Sequence, residues 1–141
     1  MRPRASSGQI AAWLWASPNT LLGWALGLVV LGLGGRLQFA SGVAEFHGGA
    51  LSRLARSLPP RMRFGAITLG HVILGVSSDA LARLRTHEHV HVRQYERWGP
   101  FFLPAYALSS AWQLANGRGA YRSNHFERQA FAQEAAKARN S

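Results

Sequence analysis

Apolar residues are spread unevenly along this chain, and the pattern divides it. Between Ile10 and Gly35 there is no charged side chain, and Leu21–Leu33 is continuously apolar or glycine. That run is close to the minimum length for crossing a bilayer, and Trp13, Trp15 and Trp24 suit its interfaces. Residues 1–36 are therefore expected to form an uncleaved, single-pass membrane anchor, with the lipid bilayer as its partner. Arg2 and Arg4 on one flank and Arg36 and Arg53 on the other balance too evenly to set its orientation.

Residues 37–141 are expected to form one α+β domain. Between residues 40 and 75 the pattern reads as short strands and turns, forming a hairpin or small sheet. Val43–His47 partly alternates and ends in Gly48-Gly49. Leu51–Leu58 is Arg-rich and helical in pattern, and Pro59-Pro60 breaks it. Phe64–Leu74, β-branched and apolar, is expected as one strand containing His71. Three helices should follow. From Asp79 to Trp98 there is no Gly or Pro, Ser78 or Asp79 can cap the start, and Gly99-Pro100 ends the segment. Phe101–Ala115 is apolar but short for a second span, and Ser123 or Asn124 can cap a last helix running to about Arg139.

Composition narrows the function classes. The net charge of +10 comes from 15 Arg and one Lys against six acids. These arginines are scattered, without a basic block or interleaved aromatics, so no nucleic-acid partner is expected. The chain has no cysteine, so any metal must be held by histidine and carboxylate.

The chemistry concentrates in His87-Glu88-His89-Val90-His91, in the middle of the second charged helix pattern. Residues four apart share a helix face, so His87 and His91 can aim two imidazoles at one ion. Glu88 then lies beside that ion and can move protons as a general base. A β-strand would instead bring His87, His89 and His91 to one side. The flanking helix formers favour the helix, on which His89 swings about 200° away from His87.

Together with Asn124–Phe131 (NHFERQAF), the stretch Thr86–Trp98 (THEHVHVRQYERW) resembles gluzincin-type metallopeptidases and small bacterial membrane proteins with the same arrangement. In that type, His-Glu-x-x-His on one helix is completed by a Glu on a later one. The resemblance covers about residues 64 to 134, and Glu127–Ala130 is similar to the second motif, although Phe131 stands where the clan often has Asp. It implies a zincin-like domain holding Zn²⁺ by His87, His91 and Glu127, with Glu88 as general base for hydrolysis of a peptide substrate. His71 and Tyr121 are candidates for transition-state or supporting roles, whereas His47 and His125 have no assigned partner. The rival class is a non-catalytic, membrane-anchored metal-binding or interaction protein. A fourth ligand from His71 or His125 would point that way.

Overall fold

In a computed structural model describing residues 4–141, the first element is the long helix α1, Ser7–Gly32. Ser6 caps it, its hydroxyl accepting from the Gln9 N–H at 3.2 Å. Pro18 lies inside and lacks the N–H that would bond the Leu14 carbonyl; the Ser17 hydroxyl donates to that carbonyl instead, at 2.7 Å. By length and composition α1 can cross a membrane.

Four strands follow: β1 (Gly35–Ala40), β2 (Val43–Gly48), β3 (Ala66–Leu69) and β4 (Val72–Gly75). Their order is β1-β2-β4-β3, two antiparallel hairpins joined by the parallel pair β2 and β4. β1 begins before residue 40, ahead of the expected strand region. The single strand expected over Phe64–Leu74 is split, because Gly70, with φ of +61°, turns the chain back on itself. His71 accordingly sits in a hairpin turn and not within a strand.

Between the hairpins lies the short helix α2, Gly49–Ser57, and beyond the sheet come α3 (Ser78–Trp98), α4 (Phe102–Ala115) and α5 (His125–Arg139). The architecture is therefore α+β, with the three helices expected after the sheet and with α2 on the Leu51–Leu58 stretch that reads as helical in pattern. Ser77 caps α3, its hydroxyl accepting from the Ala80 N–H, one residue earlier than the sequence suggested. Gly99, at φ +55°, terminates it.

The sheet separates two cores. Val30 of α1 packs with Ala44, Phe46, Leu69, Val72 and Leu74 on one side. Leu81 and Val92 of α3 pack with Val43 and Ile73 on the other. Small residues let α1 approach closely: a Cβ on Gly23 would meet Val72, and one on Gly27 would meet the Phe46 ring. Polar ties fix its N-terminal half, where Asn19 donates to the Gly99 carbonyl at 3.0 Å and Trp15 to the Arg97 carbonyl at 3.3 Å. The boundary near residue 36 thus marks a change in composition, while α1 itself is one wall of the packed structure.

A buried carboxylate joins β2 to α3. Glu45 has no exposed surface; it accepts two bonds from the Arg85 guanidinium, each 2.9 Å, and one from Gln38 at 2.7 Å. Burial pushes its pKa up, but these donors outweigh burial and hold it below the usual carboxylate value.

The Gly70 turn lies tight against α1, since a Cβ there would overlap the Thr20 hydroxyl and fall 2.6 Å from its backbone nitrogen. Gly70→Ala is expected to lower unfolding free energy by about 1–3 kcal/mol, combining left-handed backbone strain with overpacking. Chemical denaturation followed by circular dichroism measures it; an unchanged midpoint would contradict this account.

Candidate metal centre

α3 carries the motif on its buried face. His87, Glu88 and His91 are all buried, and the four-residue spacing sets the two imidazole rings 5.0 Å apart. α5 supplies the third group. Its start is set by Asn124, fully buried, whose side-chain oxygen accepts from the Phe126 N–H at 2.9 Å. The Asn124 amide donates to the Tyr106 carbonyl and the Ser110 hydroxyl of α4, at 3.0 and 2.7 Å. This anchorage brings Glu127, three residues on, to face α3.

One Glu127 oxygen lies 2.9 Å from His87 Nε2 and the other 3.3 Å from His91 Nε2. The three potential ligand atoms all fall within 4.8 Å of one another. Both Nδ1 atoms are engaged on the far side of the rings, His87 with Glu134 at 3.3 Å and His91 with Gln94 at 2.8 Å.

Gln94 fixes the protonation pattern. Its amide nitrogen donates to the Phe126 carbonyl at 3.1 Å and to Gln129 at 2.7 Å, so its oxygen must face His91. A carbonyl cannot donate, so His91 Nδ1 carries the proton. The neutral ring then presents the Nε2 lone pair to a carboxylate oxygen. Glu134 makes the same demand on His87 Nδ1. Two lone pairs and a carboxylate converge in a buried space, an arrangement that requires a positive charge: a proton on each ring or a shared cation.

The titration shifts agree with this geometry. Burial pushes the Glu127 carboxyl up, but hydrogen bonds from His87, His91 and Tyr106 prevail and hold it at about 2. Burial lowers His87 and His91, yet the bonds to Glu127 outweigh it and raise both above 6.5. Glu88 moves the other way. Its burial dominates over the pull of His91 and the Thr68 bond, and its pKa is raised.

Glu88 stands apart from the three-residue group. It accepts from the Thr68 hydroxyl of β3 at 2.7 Å, and Tyr95 of α3 holds that strand by donating to the Thr68 carbonyl at 3.0 Å. Glu88, His91 and Glu127 line a cavity of about 260 Å³ with Ile67, Leu103 and Tyr106. A second cavity beside His87 also reaches Glu88 and Tyr121, and is bordered by Arg61 and Arg63. Tyr106 donates to Glu127 at 2.7 Å.

Of the other candidates, Tyr121 lines both cavities. His71 lines neither: its Nε2 lies 2.8 Å from Glu96, and its backbone N–H donates to the Thr20 hydroxyl at 3.1 Å. His125 borders a separate pocket between α3 and α5. His89 lines neither cavity, and among the described residues its buried Nε2 has no hydrogen-bond partner. Gln94, Thr68, Tyr106 and Asn124 were missed as site residues. Two of them left a signal in the local pattern: Gln94, three residues from His91 on the same helix, and Asn124, as a possible helix cap.

No family model, curated protein or solved structure matches the chain.

Gln94→Leu removes the acceptor that orients His91, and a drop in metal affinity of about 10–100-fold is expected. Competition titration against a chelator measures it, with circular dichroism to show an intact fold. In the metal-free chain, the raised histidines stabilise below 6.5 and lose that contribution as pH rises through their shifted values. The lowered Glu127 stabilises above 4.5 and loses its contribution as pH falls towards about 2. Metal-free thermal stability should therefore decline as pH rises above 6.5, and added divalent metal should reverse the decline.

Proposed function

We infer that this chain is a membrane-associated, zinc-dependent metallopeptidase-like protein of the gluzincin type, with His87, His91 and Glu127 as the metal's protein ligands. The carrying observation is the convergence of His87 Nε2, His91 Nε2 and the Glu127 carboxylate within 4.8 Å. The proton positions dictated by Gln94 and Glu134 support it. Two imidazoles and one carboxylate suit zinc, and among the described residues no fourth His, Asp or Glu joins the group. Of the two residues that would close the site, His71 is paired with Glu96 and His125 borders a separate pocket, so neither joins the group. An open position is the feature that separates catalytic from structural zinc sites.

A zinc ion so held supplies Lewis acidity, acidifying water and polarising a carbonyl. The remaining chemistry belongs to the chain. Glu88, on the cavity wall with a raised pKa, is suited to accept a proton from the attacking water and deliver it to the departing amine. The Thr68 hydroxyl holds one Glu88 oxygen and leaves the other for that transfer. Glu134 and Gln94 keep the ring protons on Nδ1 and the lone pairs directed inward. Tyr106 fixes the Glu127 carboxylate from the cavity side. The apolar lining from Ile67, Phe102 and Leu103 suits an extended peptide with an apolar side chain next to the reacting amide.

Metal analysis of the purified protein tests the ligand set. About one zinc per chain is expected in the wild type and none in His91→Ala or Glu127→Ala; a metal-free wild type under zinc-replete conditions would sink the reading. Glu88→Gln should keep the metal while peptide hydrolysis falls by about 10²–10⁴-fold. Unchanged turnover in that variant would leave a metal-binding protein without this catalysis.

A further inference from the structure

The two helices without charged side chains, α1 and α4, are built inside out. The inward positions of α1 are small or polar: Ala16, Asn19, Gly23 and Gly27, together with Val30. Most of its large apolar residues point outward, with Leu14 at 68% and Leu21 at 70% exposure, while Trp24 packs against Phe46. α4 shares the outward half of the pattern: it anchors inward through Phe102, its only buried residue, while its other large aliphatic side chains stay exposed. Its polar residues face the protein: Ser109 accepts from the His125 N–H, and Ser110 bonds the Ala120 carbonyl and Asn124. Leu108 (72%), Trp112 (66%) and Leu114 lie on the open side. Water selects the opposite arrangement, whereas lipid-facing helices turn large apolar groups outward and pack through small ones.

The two apolar faces adjoin. Trp15 of α1 and Phe101, at the start of α4, have ring centroids 5.9 Å apart, and Ala16 shares a cluster with Phe102. At the far end of α1, Arg36, Arg53 and Arg56 border a pocket with Gly34 and His47, and none of these arginines is in an ion pair among the described residues. Basic groups beside an apolar face suit anionic lipid headgroups.

We propose that these faces of α1 and α4 form one docking surface for an anionic lipid bilayer, with α1 lying along the membrane interface and not crossing it. The sheet decides between the two poses. It packs along α1 and remains open at both edges, β1 and β3. Were α1 to cross, it would carry those unpaired backbone groups into hydrocarbon, where open sheet edges do not occur. The His71–Glu96 pair, next to α1 through Thr20, would go with them. Lying flat keeps the sheet and the pair on the aqueous side. Ile67 and Leu103, both part-exposed lining residues of the cavity, place its rim on the apolar side of the molecule. This surface holds whether or not the site is a peptidase.

The absence of cysteine makes the pose directly testable. Ser7→Cys and Arg36→Cys place single thiols at the two ends of α1 in the full chain. The variants are bound to sealed vesicles of phosphatidylcholine and phosphatidylglycerol and treated with a membrane-impermeant maleimide. Full reaction of both thiols from outside is expected; protection of either until detergent opens the vesicles would establish a crossing helix and overturn the proposal. Leu108→Glu combined with Trp112→Glu, with helix content unchanged by circular dichroism, should weaken vesicle co-sedimentation at least about tenfold. Unaltered sedimentation would remove α4 from the surface. A detergent-free dimer that ignores vesicles would assign these faces to a second copy and overturn the proposal as well.

Discussion

Two neutral imidazoles and a carboxylate aimed at one buried point repel each other unless positive charge lies between them. Much of the molecule maintains that arrangement. α3 supplies the ring spacing, and Asn124 stations α5 so that Glu127 faces the rings. Gln94 and Glu134 hold the outer ring nitrogens, and Tyr106 restrains the carboxylate from α4. Glu134 is instructive. It lies one turn beyond Phe131, the residue at the position where the resembled clan often carries Asp, and Phe131 itself packs against the His87 ring at 4.7 Å.

The same economy governs the rest of the fold. A chain of 141 residues has little core to spend on each element, and the sheet must support helices on both faces. Glycines at positions 23 and 27 draw α1 close to β4 and β2, while Glu45 and Arg85 link β2 to α3 near the motif. α4 contributes little to the core, yet its polar face positions the start of α5. Its position is explained by what it holds in place and by the apolar surface it presents.

Sequence periodicity made α3 legible because no Gly or Pro interrupts Asp79 to Trp98, and the same spacing pairs His87 with His91. α5 was legible from a cap at Ser123 or Asn124, and the structure selects Asn124. The split at Gly70 was not, since a glycine within a β-branched run is ambiguous until the partner strand is known. That ambiguity carried His71 to the wrong setting: the turn directs it to Glu96 and α1, away from the cavity. Thr68 was equally hidden, because its contact with Glu88 joins residues 20 apart across two different elements.

Local physics is enough for whatever recurs within a few residues of itself. Helix period, cap chemistry, the charge-free N-terminal run and the His-Glu-x-x-His spacing are of this kind, and all are readable from the chain alone. The convergence of Glu127 on the histidines, the proton pattern imposed by Gln94 and the choice of which helix faces point outward are different. They depend on contacts between segments far apart in sequence, whose distance and direction exist only after packing. Composition marked α1 as apolar enough for a membrane; only the open-edged sheet packed along it bears on how such a helix can meet one.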